Sequence, residues 1–175
     1  MGFEIERKFL VANDGWRSSV TDSERLRDGL VGESNGAKVR VRVSGKSASL
    51  TVKSHRSGMR RSEFEYDIPH ADAEAILSTV CAGRFIEKTR YTVENAGCIW
   101  VVDVHEGRLA GIVLAEIELE SEDQHFEMPH WAGREVTNNP RFHKRTIERL
   151  CHEKGHPLTI SELLDLPPER LVATA

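Results

Sequence analysis

Glu4, Glu6 and Lys8 alternate with Phe3, Ile5 and Phe9 near the start of the chain. On a β-strand successive side chains point to opposite faces, so this spacing puts two carboxylates and an ammonium on one face. The same period returns along the sequence. Lys38, Arg40 and Arg42 alternate with Val39, Val41 and Val43; Thr51 and Lys53 with Leu50 and Val52; Arg61, Glu63 and Glu65 with Phe64 and Tyr66. Arg25 and Arg27 share a face, as do Lys88 and Arg90. Asp103 and His105 oppose Trp100, Val102 and Val104, and Glu116, Glu118 and Glu120 oppose Ala115, Ile117 and Leu119. Carboxylates suit a hard cation such as Mg²⁺, and lysines and arginines suit phosphate. Together they point to a metal-bound polyphosphate.

The elements that must carry these residues are mostly strands. Expected strands cover 3–11, 25–31, 37–44, a stretch around 50–53, 61–68, 85–94, 98–105 and 112–120, with a tight turn at Gly45-Lys46. Ala73, Ile76, Leu77 and Val80 recur at helical spacing and predict an amphipathic helix over 70–82. Residues 121–140 read as turn-rich, 141–154 as a helix stopped by Gly155 and Pro157, Ile160 to Leu164 as a short helix, and the end beyond Pro167-Pro168 as loose. The fold class is α+β, with mostly antiparallel strands.

For any one strand, a wet face is the simpler explanation of such charges. The collective pattern favours another arrangement. The alternating positions are dominated by Arg, Lys, Glu and Asp, while the opposite faces are consistently apolar and need cover. Curling the sheet puts the charges inside and leaves the apolar face for helices to coat, the reverse of a small barrel filled with apolar side chains. A charged interior is costly unless its groups pair or hold ligands, so the lumen is expected to be an open, watered tunnel.

The residues that line it resemble the CYTH family, the triphosphate tunnel metalloenzymes. Glu4-Ile5-Glu6-Arg7-Lys8 fits the family's E-x-E-x-K signature. The likeness continues through Val39 to Arg42, Leu50 to Lys53, Arg61 to Glu65, Glu87 to Tyr91, Val102 to Val104, Ala115 to Leu119 and Trp131 to Thr137. It implies an eight-stranded antiparallel closed β-tunnel with a charged lumen, covered outside by a few helices. The family domain spans about 1–150, with 151–175 as a helical extension and tail. By position it implies Glu4, Glu6, Glu116 and Glu118 as ligands of Mg²⁺ or Mn²⁺, with Asp103 joining them. Lys8, Arg40, Arg42, Lys53, Arg61, Lys88 and Arg90 are implied as the phosphate clamp. Lys88, Glu116 and Glu118 are the implied catalytic groups. Arg27, Glu63, Glu65 and Glu120 share the charged pattern with less support, and Lys144 reads as a solvated helix residue or a further phosphate contact. One departure stands out: hydrolysing members often carry a tyrosine where this chain has Leu30, in Asp28-Gly29-Leu30.

The implied activity is metal-dependent hydrolysis of inorganic triphosphate or a related linear polyphosphate. Alternatives left open are a family-type adenylyl cyclase, a non-catalytic polyphosphate-binding module and a thiamine triphosphatase. Composition excludes other classes. The 175 residues are 30% charged with a net charge of −4, unlike a general nucleic-acid binder. No run is apolar enough to span a membrane, no signal peptide is expected, and Gly2 makes no myristoylation motif because Glu6 stands where Ser or Thr is needed. Cys81, Cys98 and Cys151 are odd in number and far apart, which reads as a reduced, cytoplasmic protein. His152-Glu153-Lys154-Gly155-His156 spells a zinc-protease motif, but Gly155 and Pro157 end the helix it needs. Trp16, Trp100 and Trp131 read as core or cover. The apolar face around Trp100 and Val102 suits a homodimer as well as a helix.

Overall fold

The computed structural model describes residues 2–45, 47–58 and 60–171. In chain order its strands are β1 (Gly2–Val11), β2 (Val20–Ser34), β3 (Ala37–Ser44), β4 (Ser47–Lys53), β5 (Arg60–Asp67), β6 (Ile86–Asn95), β7 (Cys98–His105), β8 (Val113–Glu118) and β9 (Ala132–Glu135). The helices are α1 (His70–Thr79), α2 (Lys144–Lys154) and α3 (Ile160–Leu164). The order β5-β4-β3-β2-β6-β7-β8-β1 closes on itself because β5 also pairs with β1. Every pairing is antiparallel. The result is the closed eight-stranded barrel expected, with β9 as an extra strand.

The closure has a specific form. One edge of β1 is shared: Gly2 to Ile5 pair with β5, and Phe9 to Val11 with β9. The other edge, Glu6 to Leu10, pairs with β8. The strand β9 lies inside the segment read as turn-rich; four residues, two of them charged, carry too weak an alternation to mark a strand. Two hairpins follow from local chemistry. Asn35-Gly36 joins β2 to β3 and Ala96-Gly97 joins β6 to β7, all four residues having positive φ, as a two-residue turn with the right twist requires. The expected turn at Gly45-Lys46 includes a residue outside those described, as do the final residues 172–175 of the tail expected to be loose; residues 168–171 form a 3-10 turn.

Three apolar clusters coat the barrel. Phe9, Trp16, Trp100 and Trp131 form an aromatic cluster on the outer face, with Trp100 and Trp131 edge to face at 5.4 Å. Helix α1 lays Ala73 and Leu77 over Val41, Val43 and Ala48. The third cluster joins Ile86 and Leu114 to Ile147, Leu150, Leu158 and Leu163, so α2, α3 and the chain between them share one core with the barrel. Leu10, Ile86 and Leu114 have the parity of the lumen. Apolar packing therefore occupies part of that end, and the tunnel is less open than the charge pattern suggested. The boundary expected after residue 150 falls within α2.

Candidate active site

The pleat sorts the side chains. Residues opposite one another in an antiparallel pair share a face, so the register traces the lumen from strand to strand: Glu6 opposite Glu118, Lys8 opposite Glu116, Glu4 opposite Arg61, Lys53 opposite Glu63, Arg42 opposite Asp28, Arg90 opposite Asp103. A cavity of about 1680 Å³ opens on Glu4, Glu6, Lys8, Arg40, Arg42 and Lys53, among others.

The charges divide into two groups. On β2, β3, β6 and β7 they are tightly engaged. Arg42 donates to both Asp28 oxygens at 2.6 and 2.9 Å, and Arg90 to both Asp103 oxygens at 2.8 and 2.9 Å. Lys88 is fully buried, 2.5 Å from Asp103 and 3.7 Å from Asp28. Lys144, at the first turn of α2, adds a cation 3.8 Å from Asp103. Arg40 is the exception. It donates to Thr51 at 3.0 Å and reaches Glu65 only at 3.5 Å, and its Nε is buried with no hydrogen-bond partner.

On β1, β5 and β8 the carboxylates crowd one another. Glu4 accepts from Lys53 at 2.9 Å and from Arg61, with Arg56 3.8 Å away. Lys53 also binds Glu63 at 2.9 Å, and Lys8 lies 2.8 Å from Glu116 and 3.4 Å from Glu6. For Glu118 no cation lies within salt-bridge distance among the described residues, and Glu6 faces it directly across the strands.

Proton affinities follow the same division. Burial alone would raise Asp28 and Asp103, but Lys88 and the two arginines hold both well below the usual carboxylate range. Burial, then Lys144, pushes the Lys88 ammonium down to about 7 against the pull of Asp103 and Asp28. Glu4 is brought down to about 2: burial opposes this, and Arg61 and Lys53 outweigh it. Glu118 moves the other way, raised by burial and then by Glu4, Glu6 and Glu63. His105, opposite Lys88, is pushed down to about 4 by burial and Lys144. Its Nδ1 bonds the Ile112 carbonyl at 3.0 Å, and its Nε2 is buried without a partner.

Most residues singled out in the sequence meet in or directly behind the lumen: Glu4, Glu6, Lys8, Arg40, Arg42, Lys53, Arg61, Glu63, Glu65, Arg90, Glu116 and Glu118 line it, with Glu120 at the cavity's edge. Lys88 and Asp103 sit behind that lining, closed off from solvent. Arg27 is not in the lumen. It lies on the outer face with the parity of Arg25, over Phe85, and forms a two-pronged pair with Glu74 of α1, one contact being 3.0 Å. The lumen residue of that strand is Asp28, which the sequence reading passed over. The missed signal is parity: Asp28 alternates with Leu26 and Leu30, a pattern too apolar to announce a charged face. Leu30 itself faces Arg40 across the strands and is 41% exposed.

Among the described residues, no three acidic, histidine or cysteine side chains are grouped to hold a metal ion as they stand. The donor chemistry nevertheless fits a hard cation. Glu4, Glu6 and Glu63 add their repulsion to burial at Glu118 and raise its proton affinity. A divalent cation would relieve that repulsion.

The family model of the CYTH domain matches residues 2–149. The chain belongs to the CYTH family. Among its relatives, the inorganic triphosphatase of Acetivibrio thermocellus is 42% identical over 142 residues, covering 81% of this chain and 90% of that one. The inorganic triphosphatase of Nitrosomonas europaea is 37% identical over 150 residues, covering 82% and 95%. A solved structure of an inorganic triphosphatase, 36% identical, overlays with a TM-score of 0.58 over 82% of this chain and 92% of that chain. These CYTH relatives thus match nearly their whole length to this barrel.

Proposed function

We propose that this CYTH protein is a metal-dependent triphosphatase that hydrolyses inorganic triphosphate or a related linear polyphosphate. The observation that carries the reading is Arg40. It is a lumen arginine with a buried, unpartnered Nε amid neighbours whose donors are already engaged. A phosphate oxygen is the acceptor that such a fork is built for.

In this reading Arg40, Lys53, Arg61, Lys8, Arg42 and Arg90 grip the phosphate oxygens and neutralise their charge, which is most of what phosphoryl transfer asks of a protein. Glu4, Glu6, Glu116 and Glu118 would hold Mg²⁺ or Mn²⁺, which when bound would neutralise charge on the phosphates. Water attacks the terminal phosphorus in line. A new P–O bond forms, the anhydride P–O bond breaks, and orthophosphate, pyrophosphate and a proton leave. Lys88 has no exposed surface, so its part is to hold Asp28 and Asp103, which in turn aim Arg42 and Arg90. Asp28 is a positioning residue of the same kind. Cys81, Cys98 and Cys151 are all free thiols, in keeping with a reducing compartment, and no helix among the described residues is long and apolar enough to cross a membrane.

The test is a panel of triphosphate, thiamine triphosphate and ATP with each metal, read by phosphate release and by chromatography of products. Orthophosphate and pyrophosphate from triphosphate are expected. Cyclic AMP from ATP as the main product, or tight triphosphate binding without turnover, would overturn the reading.

A further inference from the structure

The cavity does not end at the barrel. Beyond Lys144 it continues along α2, lined by Arg145, Glu148, Arg149 and His152, and by Arg84 before β6 and Arg108 after β7. Local packing fixes this extension. Leu109, on the turn that carries Arg108, is buried against the α2 cluster, and so is Ile86, two residues after Arg84. Arg145 bonds Glu33 of β2 at 2.6 Å, tying the helix to the barrel. Arg149 is held by Glu153 at 2.6 Å and by the Arg170 carbonyl. Arg84 and Arg108 are exposed and have no carboxylate partner among the described residues.

We propose that this extension is a second phosphate-binding segment, which holds the phosphates of a linear polyphosphate beyond those gripped in the tunnel. The proposal rests on the triphosphatase reading of the tunnel itself. Size supports it: about 1680 Å³ is well above the ~300–1,000 Å³ of an ordinary small-molecule pocket, and triphosphate is a small molecule. Charge supports it too. Five cations, Arg84, Arg108, Lys144, Arg145 and Arg149, gather along this stretch; Glu33 engages Arg145, Glu153 engages Arg149 and Asp103 lies 3.8 Å from Lys144, which leaves Arg84 and Arg108 without a carboxylate among the described residues. Its aromatic residues are not free to stack on a base: Phe142 is buried, and Phe85 lies under the Arg27 guanidinium at 5.7 Å. A flexible chain of phosphates therefore suits the groove better than a nucleoside. Because the two free arginines are exposed, their grip is modest and salt-dependent.

The experiment compares triphosphate, ATP and a medium-length linear polyphosphate, with wild type and an Arg84→Ser/Arg108→Ser double variant. Steady-state phosphate release is measured, with calorimetric binding of each anion in the absence of added metal. Both positions are exposed, so the variant is expected to melt like wild type. KM for the polyphosphate should rise about tenfold in the variant, with triphosphate kinetics unchanged and the difference vanishing at high salt. Equal shifts for both inorganic substrates, or none, would overturn the groove. Selective weakening of ATP would also overturn it, in favour of a nucleoside. If wild type releases no phosphate from triphosphate, the catalytic reading fails. The calorimetric arm still decides the groove: polyphosphate binding weakened by the double variant upholds it, and unchanged binding overturns it.

Discussion

Two arcs of the same tunnel wall handle buried charge in opposite ways. On β2, β3, β6 and β7, Asp28 and Asp103 are each gripped by an arginine fork and backed by Lys88, and both carboxyls sit far below their usual range. On β1, β5 and β8, Glu4, Glu6 and Glu63 are met by Lys8, Lys53, Arg56 and Arg61, while Glu118 has no cation within salt-bridge distance among the described residues and has a raised proton affinity. The first arc is paired within itself apart from Arg40; the second leaves Glu118 facing other carboxylates. A buried carboxylate in an arginine fork aims that arginine, whereas a carboxylate repelled by its own kind is held back from ionising and would gain from a cation beside it. Arg40 is the counterpart on the first arc, a cation with a donor to spare.

Breaking each arc should give different signatures. The largest effect is expected from Arg40→Lys, which keeps charge but loses the fork: kcat/KM for triphosphate should fall roughly a hundredfold, measured by phosphate release. Asp28→Asn should cost about 3 kcal/mol in denaturant melts, because Arg42 and Lys88 are left facing a neutral group in a buried site. Asp28 has a depressed folded pKa, so its contribution is full above the unfolded value near 4 and is lost as pH falls through the folded one. The stability gap between wild type and Asp28→Asn should accordingly close in acid. Glu118→Gln should raise the half-saturating metal concentration about tenfold, with stability equal to or above wild type, since a repelled carboxylate has been removed. The smallest effect belongs to Arg27→Ala, outside the lumen. A partly exposed pair with Glu74 is worth within about 1 kcal/mol, and kcat should not change.

Much of this was legible in the residues because period-two alternation is dense where both faces are demanding. Glu4, Glu6 and Lys8 against Ile5 and Phe9 could hardly be anything but a strand between a lumen and a core. Strand β2 was harder to read. Its lumen face carries Leu26, Asp28 and Leu30, and its outer face carries Arg25 and Arg27, so charge pointed to the wrong side. Glu74 of α1, 47 residues away in sequence, explains Arg27 from the outside, and Glu106, 2.9 Å from Arg25, explains the other. The buried state of Lys88 was equally hidden: it depends on α2 packing over the barrel end, and alternation says nothing about what covers a lumen. The two histidines of the zinc-protease motif separate as expected. Gly155, at φ 76, ends α2 after His152 and leaves His156 beyond it.

The division between the arcs is tested most directly by calorimetric titration of Mg²⁺ or Mn²⁺ into Glu118→Gln and Arg40→Lys, side by side with wild type and without substrate. Glu118→Gln is expected to weaken metal binding about tenfold and Arg40→Lys to leave it unchanged. Metal affinity lost in Arg40→Lys but retained in Glu118→Gln would contradict it.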